Sequence, residues 1–137
     1  MQRNFKRQIS SLYQIFKFVN DILASYKVDE SISFSINLAI EELFTNMVKY
    51  NSHSHGNITI DIEKKGKNLI VNLIDHGSHE FDVRKAREVD VTSRLEERKV
   101  GGLGLHLVKK MVDNLEYKYT NGESRITFIK DLEKTHV

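Results

Sequence analysis

The sequence predicts an α+β fold: a two-layer sandwich with helices stacked on one face of a sheet. Three observations predict it. Two long stretches with helical period open the chain, strand-like alternation dominates afterwards, and helices do not alternate strictly with strands. A doubly wound parallel sheet needs that strict alternation, so it is set aside.

Residues Asn4 to Ile9 read as a short edge strand. Leu12, Ile15, Phe16, Val19, Ile22 and Leu23 then fall on one face of a helix. A second helix runs from Glu30 to Tyr50, with Ile36, Ile40, Leu43, Phe44 and Met47 on its buried side. The turn formers of Asn51-Ser52-His53-Ser54-His55-Gly56 end it. Ile58, Ile60 and Ile62 alternate with Asn57, Thr59, Asp61 and Glu63, which marks a half-buried strand. Beyond Gly66, the run Leu69 to Ile74 is denser in apolar residues and reads as a more central strand, antiparallel to its predecessor.

Asp75 to Val100 is polar, charged and weakly periodic. Segments this long in compact domains usually serve as lids or binding loops. A third helix is expected from Gly102 to Asn114, with Leu103, Leu107, Val108, Met111 and Val112 as its stripe. Tyr117 and Tyr119 alternate in a strand, Asn121-Gly122 is a strong hairpin turn, and Arg125 to Ile129 returns as the last strand.

The 137 residues suit one domain spanning 1–137, and 39% hydrophobic with 29% charged residues is the balance of a globular chain. A net charge of +2 argues against direct nucleic-acid binding. With no Cys, disulfides, thiolate metal sites and cysteine nucleophiles are all excluded. No run is apolar enough to span a bilayer and the first residues do not read as a signal peptide, so a cytoplasmic protein without a membrane partner is expected. His53-Ser54-His55, His76 and His79 offer no spacing that persuades as a transition-metal site.

Three constellations carry chemistry. Glu42 and Asn46 lie one helical turn apart on a flank of the second helix. A carboxylate beside an amide oxygen suits a hydrated Mg²⁺ and a poised base, and equally suits a solvated flank. Asp75-His76-Gly77 ends the densest strand, where a carboxylate accepts from an exocyclic amine and a glycine lets a flat ligand approach; a plain strand-ending turn is the alternative. Gly101-Gly102-Leu103-Gly104 opens the third helix, where free N–H groups and the helix dipole favour phosphate; a hinge is the alternative. It is neither a Rossmann fingerprint nor a Walker A loop: Leu107 stands at the third glycine position and no Gly-Lys-Ser/Thr follows.

Taken together and in that order, the motifs resemble the GHKL superfamily, which includes the gyrase, heat-shock chaperone, histidine kinase and mismatch-repair ATP-binding domains. The run from Glu96 to Asp113 is most similar to the anti-sigma factor serine kinases. The resemblance covers roughly Ser31 to Lys130. It implies the Bergerat ATP-binding fold, a mixed sheet covered on one face by about three helices. It implies ATP and Mg²⁺ as cofactors, with Asn46 as the metal ligand and Glu42 as the general base. Asp75 would bind the adenine amine, Gly77 would shape the base pocket, and Gly102, Leu103 and Gly104 would meet the phosphates. Arg98 or Arg94 would reach the γ-phosphate, with Lys49 as a further phosphate contact.

By the same resemblance the acceptor is a serine of an antagonist protein and the second partner is a sigma factor, with a homodimer through exposed sheet. Departures from the family pattern are His79-Glu80 after the Asp-x-Gly, Tyr50 in place of His, and a last strand without the usual Gly-Thr pair; Thr127 is the candidate for that hydroxyl. A nucleotide-gated binding module without catalysis, and a histidine-kinase-type ATPase domain, stand as alternatives.

Overall fold

The structure is a computed structural model and describes residues 1–50, 56–77 and 107–133. Strand β1 (Gln2–Phe5) leads through a 3-10 turn (Ile9–Ser11) into helices α1 (Leu12–Ser25) and α2 (Glu30–Tyr50). Strands β2 (Ile58–Lys65) and β3 (Asn68–Asp75) follow; after a helical segment at 107–111 come β4 (Asn114–Thr120) and β5 (Glu123–Asp131).

The local chemistry explains the turns. Lys27 takes a left-handed φ of 54° after α1, and Val28 N–H donates to Leu23 O at 3.1 Å while Lys27 N–H donates to Ala24 O at 3.0 Å. That is a Schellman ending, and it reverses the chain into α2. Gly66 (φ 60°) opens the two-residue turn between β2 and β3. Asn121 (φ 49°) and Gly122 (φ 81°) both take positive φ in the β4–β5 turn, the type I′ pattern that matches strand twist.

The sheet order is β1-β2-β3-β5-β4. Every pairing among the described strands is antiparallel, where a mixed sheet was expected. Topology supplies the reason. Two helices between β1 and β2 return the chain in the opposite direction. The strands β3 and β4, which run the same way, are kept apart by β5 inserted between them.

Period two decides what each strand buries. Ile58, Ile60 and Ile62 of β2, Leu69, Val71 and Leu73 of β3, and Ile126 and Phe128 of β5 point into the helix layer. They meet Ile15, Phe18, Val19, Ile22 and Leu23 of α1 and Ile32, Ile36, Ala39, Ile40, Leu43, Phe44 and Met47 of α2. Each such side chain contributes about 1.5–3 kcal/mol on burial. Phe5 anchors the edge strand β1 by meeting the Phe18 ring edge-on, centroids 5.7 Å apart.

Two expected boundaries move. The first strand lies at Gln2–Phe5, ahead of the expected Asn4 to Ile9, because its register is fixed by β2, with Phe5 opposite Ile58. The third helix, expected through Asn114, has ended by Met111, and Asn114 already pairs with Ile129. Lys130, only 1% exposed, reaches across from β5 and donates to Met111 O at 2.7 Å. It thereby satisfies a carbonyl at the helix end, where a cation is favoured by the dipole.

Candidate functional site

Asp75 ends β3 on the inner face, in phase with Leu69, Val71 and Leu73, and is 1% exposed. A carboxylate so deep needs a partner. It has one in Arg7, which follows β1 and whose side chain is only 4% exposed. Arg7 Nη2 forms a buried ion pair with Asp75 Oδ1. The remaining edges of the guanidinium are used as well: Nε donates to Gly56 O at 3.1 Å and Nη1 to Met47 O at 3.3 Å. One planar fork therefore joins the residues after β1, the last turn of α2, the approach to β2 and the end of β3.

The backbone around Asp75 is equally constrained. Gly77 N–H donates to Asp75 Oδ1 at 3.2 Å, and His76 N–H donates to Asn57 O at 3.3 Å. A Cβ placed on Gly56 would lie 2.6 Å from Gly77 N and 2.8 Å from Gly77 Cα. Gly56 thus lets the chain before β2 touch the chain after β3 backbone to backbone. On the other face of the sheet, His76 meets Thr59 Oγ1 through Nε2 at 2.6 Å and Glu123 Oε2 through Nδ1 at 2.7 Å. The turn that carries Asp75 is held from both sides.

The same helix α2 carries Glu42 and Asn46, with Met47 tied to Arg7. Asn46 is 6% exposed. Glu42 is partly buried. Burial raises its pKa above the usual 4.5, the Glu41 charge adds to this, and Lys49 opposes it. A carboxylate of raised basicity one helical turn from a largely buried amide suits a base beside a hard-cation ligand.

The profile of the histidine kinase-like ATPase domain matches residues 5–130. The chain belongs to this family. Among similar proteins, the anti-sigma F factor of Thermoanaerobacter sp. (strain X514) is 28% identical over 114 residues, covering 80% of this chain and 79% of that relative. The serine-protein kinase RsbW of Listeria monocytogenes serovar 1/2a (strain ATCC BAA-679 / EGD-e) is 31% identical over 105 residues, covering 73% of this chain and 64% of the relative. Two solved structures share the fold. One, the RsbU and RsbW domains of a Mycobacterium tuberculosis protein, has a TM-score of 0.70 at 18% identity and covers 96% of this chain but 32% of its own. The SiaB-SiaC complex of Pseudomonas aeruginosa gives 0.67 at 14% identity, covering 95% and 87%.

In this histidine kinase-like ATPase domain, Glu42, Asn46, Asp75 and Gly77 all sit on the two segments that Arg7 bridges. Lys49 is exposed at the end of α2. Arg98, Gly102, Leu103 and Gly104 lie outside the described residues. Thr127 is not brought to the site. It pairs with Asn72, and its Oγ1 donates to Asn72 Oδ1 at 2.6 Å on the sheet face away from the helices. The residue opposite Asp75 is Ser124, 4% exposed, with its Oγ 3.2 Å from Tyr117 Oη. Alternation with Ile126 and Phe128 already puts Ser124 inside and Thr127 outside, so this signal was present in the sequence. Gly56 was visible only as a turn former. No local pattern distinguished Arg7, because its role is set by a partner 68 residues away.

Proposed function

We propose that the chain is an ATP-dependent serine/threonine protein kinase of the anti-sigma type, which phosphorylates an antagonist protein and holds a sigma factor in alternation. The observation that carries this reading is the junction at Arg7, which links the Glu42–Asn46 helix to Asp75 across one guanidinium. Family membership and relatives named as anti-sigma factor and serine-protein kinase support it. No described helix is long and apolar enough to cross a membrane; a cytoplasmic location is part of the proposal.

In the proposed reaction, Asp75 accepts a hydrogen bond from the adenine amine while Gly77 leaves room for the ring. Glu42 takes the proton of the acceptor serine hydroxyl as its oxygen attacks the γ-phosphorus. The bond from that phosphorus to the β–γ bridging oxygen breaks, and ADP leaves with the electron pair. Asn46 fits as a ligand of Mg²⁺, since its buried amide supplies the hard oxygen such an ion takes. An ion held there would supply charge neutralisation on the phosphates, which is most of what phosphoryl transfer requires. Gly102, Leu103 and Gly104 serve the phosphates through backbone N–H groups, and Arg98 and Lys49 supply further positive charge. Ser124, rather than Thr127, supplies the hydroxyl on the pocket side.

Calorimetric titration with ADP and ATP, with and without Mg²⁺, tests the pocket. Saturable, Mg²⁺-dependent binding is expected, and no heat at millimolar nucleotide refutes the reading. Radiolabel transfer to a candidate antagonist then separates a kinase from a nucleotide-gated module, which binds ATP and moves no phosphate.

A further inference from the structure

Strand β1 forms one edge of the sheet, and its far side is open: Gln2, Arg3 and Asn4 are all exposed, and β2 is the one strand partner among the described residues. We propose that this edge, with the groove beside it, takes up an extended acidic segment of a partner protein, added antiparallel to β1 as a sixth strand.

Hydrogen-bond parity decides what the edge offers. Met1 and Ile62 exchange both backbone bonds, N–H to O at 2.9 Å each way. In an antiparallel ladder such pairs alternate with pairs that exchange none. Arg3 and Phe5 therefore turn their N–H and C=O groups toward β2, opposite Ile60 and Ile58. Gln2 and Asn4 turn theirs outward, where no described strand meets them. Two donors and two acceptors in one row are a template for another strand.

The helix side supplies a receptacle for its side chains. A groove of about 540 Å³ lies between β1 and α1, walled by Met1, Arg3, Tyr13, Phe18, Ile22 and Tyr26. Alternate side chains of an added strand point into it. Charge sets what they carry. Arg3 and Lys17 line the groove against Asp21 alone, and Lys64 Nζ stands 5.8 Å from the centre of the Tyr26 ring. Neither Arg3 nor Lys17 has an ion-pair partner among the described residues. The guest residue opposite Arg3 is therefore acidic, and those two places to either side of it are apolar.

A second copy of the chain fits the edge badly. Self-pairing that uses both Gln2 and Asn4 sets Arg3 of one copy directly opposite Arg3 of the other. That is the closer kind of pair, about 4.5 Å between Cα atoms. Like charges so placed repel, and an acidic guest relieves them.

The test titrates the isotope-labelled full chain with the peptide acetyl-Thr-Leu-Thr-Glu-Thr-Leu-Thr-amide and follows amide chemical shifts. Shifts confined to β1 and the facing side of α1 are expected, with a Kd below about 1 mM. Lysine in place of the peptide's glutamate should weaken binding at least about fivefold, and Arg3→Glu should reverse that order, which a merely structural Arg3 would not do. Methylating the two threonine nitrogens that flank the glutamate removes the donors to Gln2 O and Asn4 O and should abolish binding. Gln2→Pro removes an outward donor, leaves the ladder to β2 whole, and should abolish it as well. Absence of shifts at β1 with millimolar peptide overturns the proposal, as does binding indifferent to the glutamate-to-lysine exchange or to nitrogen methylation. Should Gln2→Pro not fold, the methylated peptide decides. A parent that sediments as a dimer while Gln2→Pro sediments as a monomer assigns the edge to a second copy and overturns the acidic partner.

Discussion

Arg7→Met should be among the most damaging single substitutions in the described part of the chain. The side chains of Arg7 and Asp75 are 4% and 2% exposed, so water screens the pair very little. Breaking a buried pair from one side costs about 3–5 kcal/mol, because the surviving charge is left uncompensated. The carbonyls of Met47 and Gly56 also lose a donor, which pushes toward the upper part of that range. For a domain of this size, about 4 kcal/mol corresponds to a drop of roughly 10–15 °C in Tm. Urea unfolding followed by circular dichroism measures the change. Replacing both partners, as Arg7→Met with Asp75→Leu, removes both buried charges together. The double variant should be more stable than the summed single losses predict, by about 1–3 kcal/mol. A single-variant loss below about 1 kcal/mol, or a cycle additive to within about 0.5 kcal/mol, would refute the reasoning.

Gly56→Ala pushes a Cβ to 2.6 Å from the Gly77 backbone nitrogen, which cannot rotate away; a loss of about 1–3 kcal/mol in thermal melts and weaker ADP binding are expected. Glu42→Gln should retain nucleotide binding and reduce phosphate transfer by about a hundredfold or more, read from initial rates with antagonist protein. Because the Glu42 pKa is raised above 4.5, the acid limb of the transfer rate should lie above the ordinary glutamate range, with rate rising as the proton leaves. The stability sign is the reverse: Glu42 favours the folded state below its unfolded pKa, and that contribution fades as pH rises through the folded value. Glu42→Gln should therefore not destabilise the protein at neutral pH, which chemical denaturation checks. Lys27→Gly relieves a left-handed φ of 54° at the end of α1 and should raise stability by up to about 1 kcal/mol, seen as a small rise in Tm.

What the sequence made legible was what local chemistry controls. The bounds of α2 were readable as Glu30–Tyr50, and the Asn121-Gly122 turn took the positive φ values its residues favour. The pairing of Ile58–Lys65 with Asn68–Asp75 followed from alternation and one glycine. The placement of Glu42 and Asn46 on α2 and of Asp75 at the end of β3 was readable because each has a fixed phase in a regular element. Features set by distant neighbours were not legible. The short strand β1 has its position dictated by β2, and the helix end near Met111 is fixed by Lys130 from the last strand. Arg7 belongs to that class. Thr127 is a different case: strict alternation with Ile126 and Phe128 puts Ser124, not Thr127, on the helix side of β5.

The strand that delivers Arg7 is four residues long and lies at the margin of the sheet, where β2 is its one strand partner among the described residues. Margins of this kind open locally far more readily than the centre. When β1 lifts, the Arg7 partner of Asp75 lifts with it. With a nucleotide held at Asp75 as proposed, its retention and the docking of the strand are two readouts of a single equilibrium, coupled equally in both directions. A nucleotide in the pocket should slow amide exchange in β1, and any protein that peels this margin away should loosen the nucleotide by the same factor.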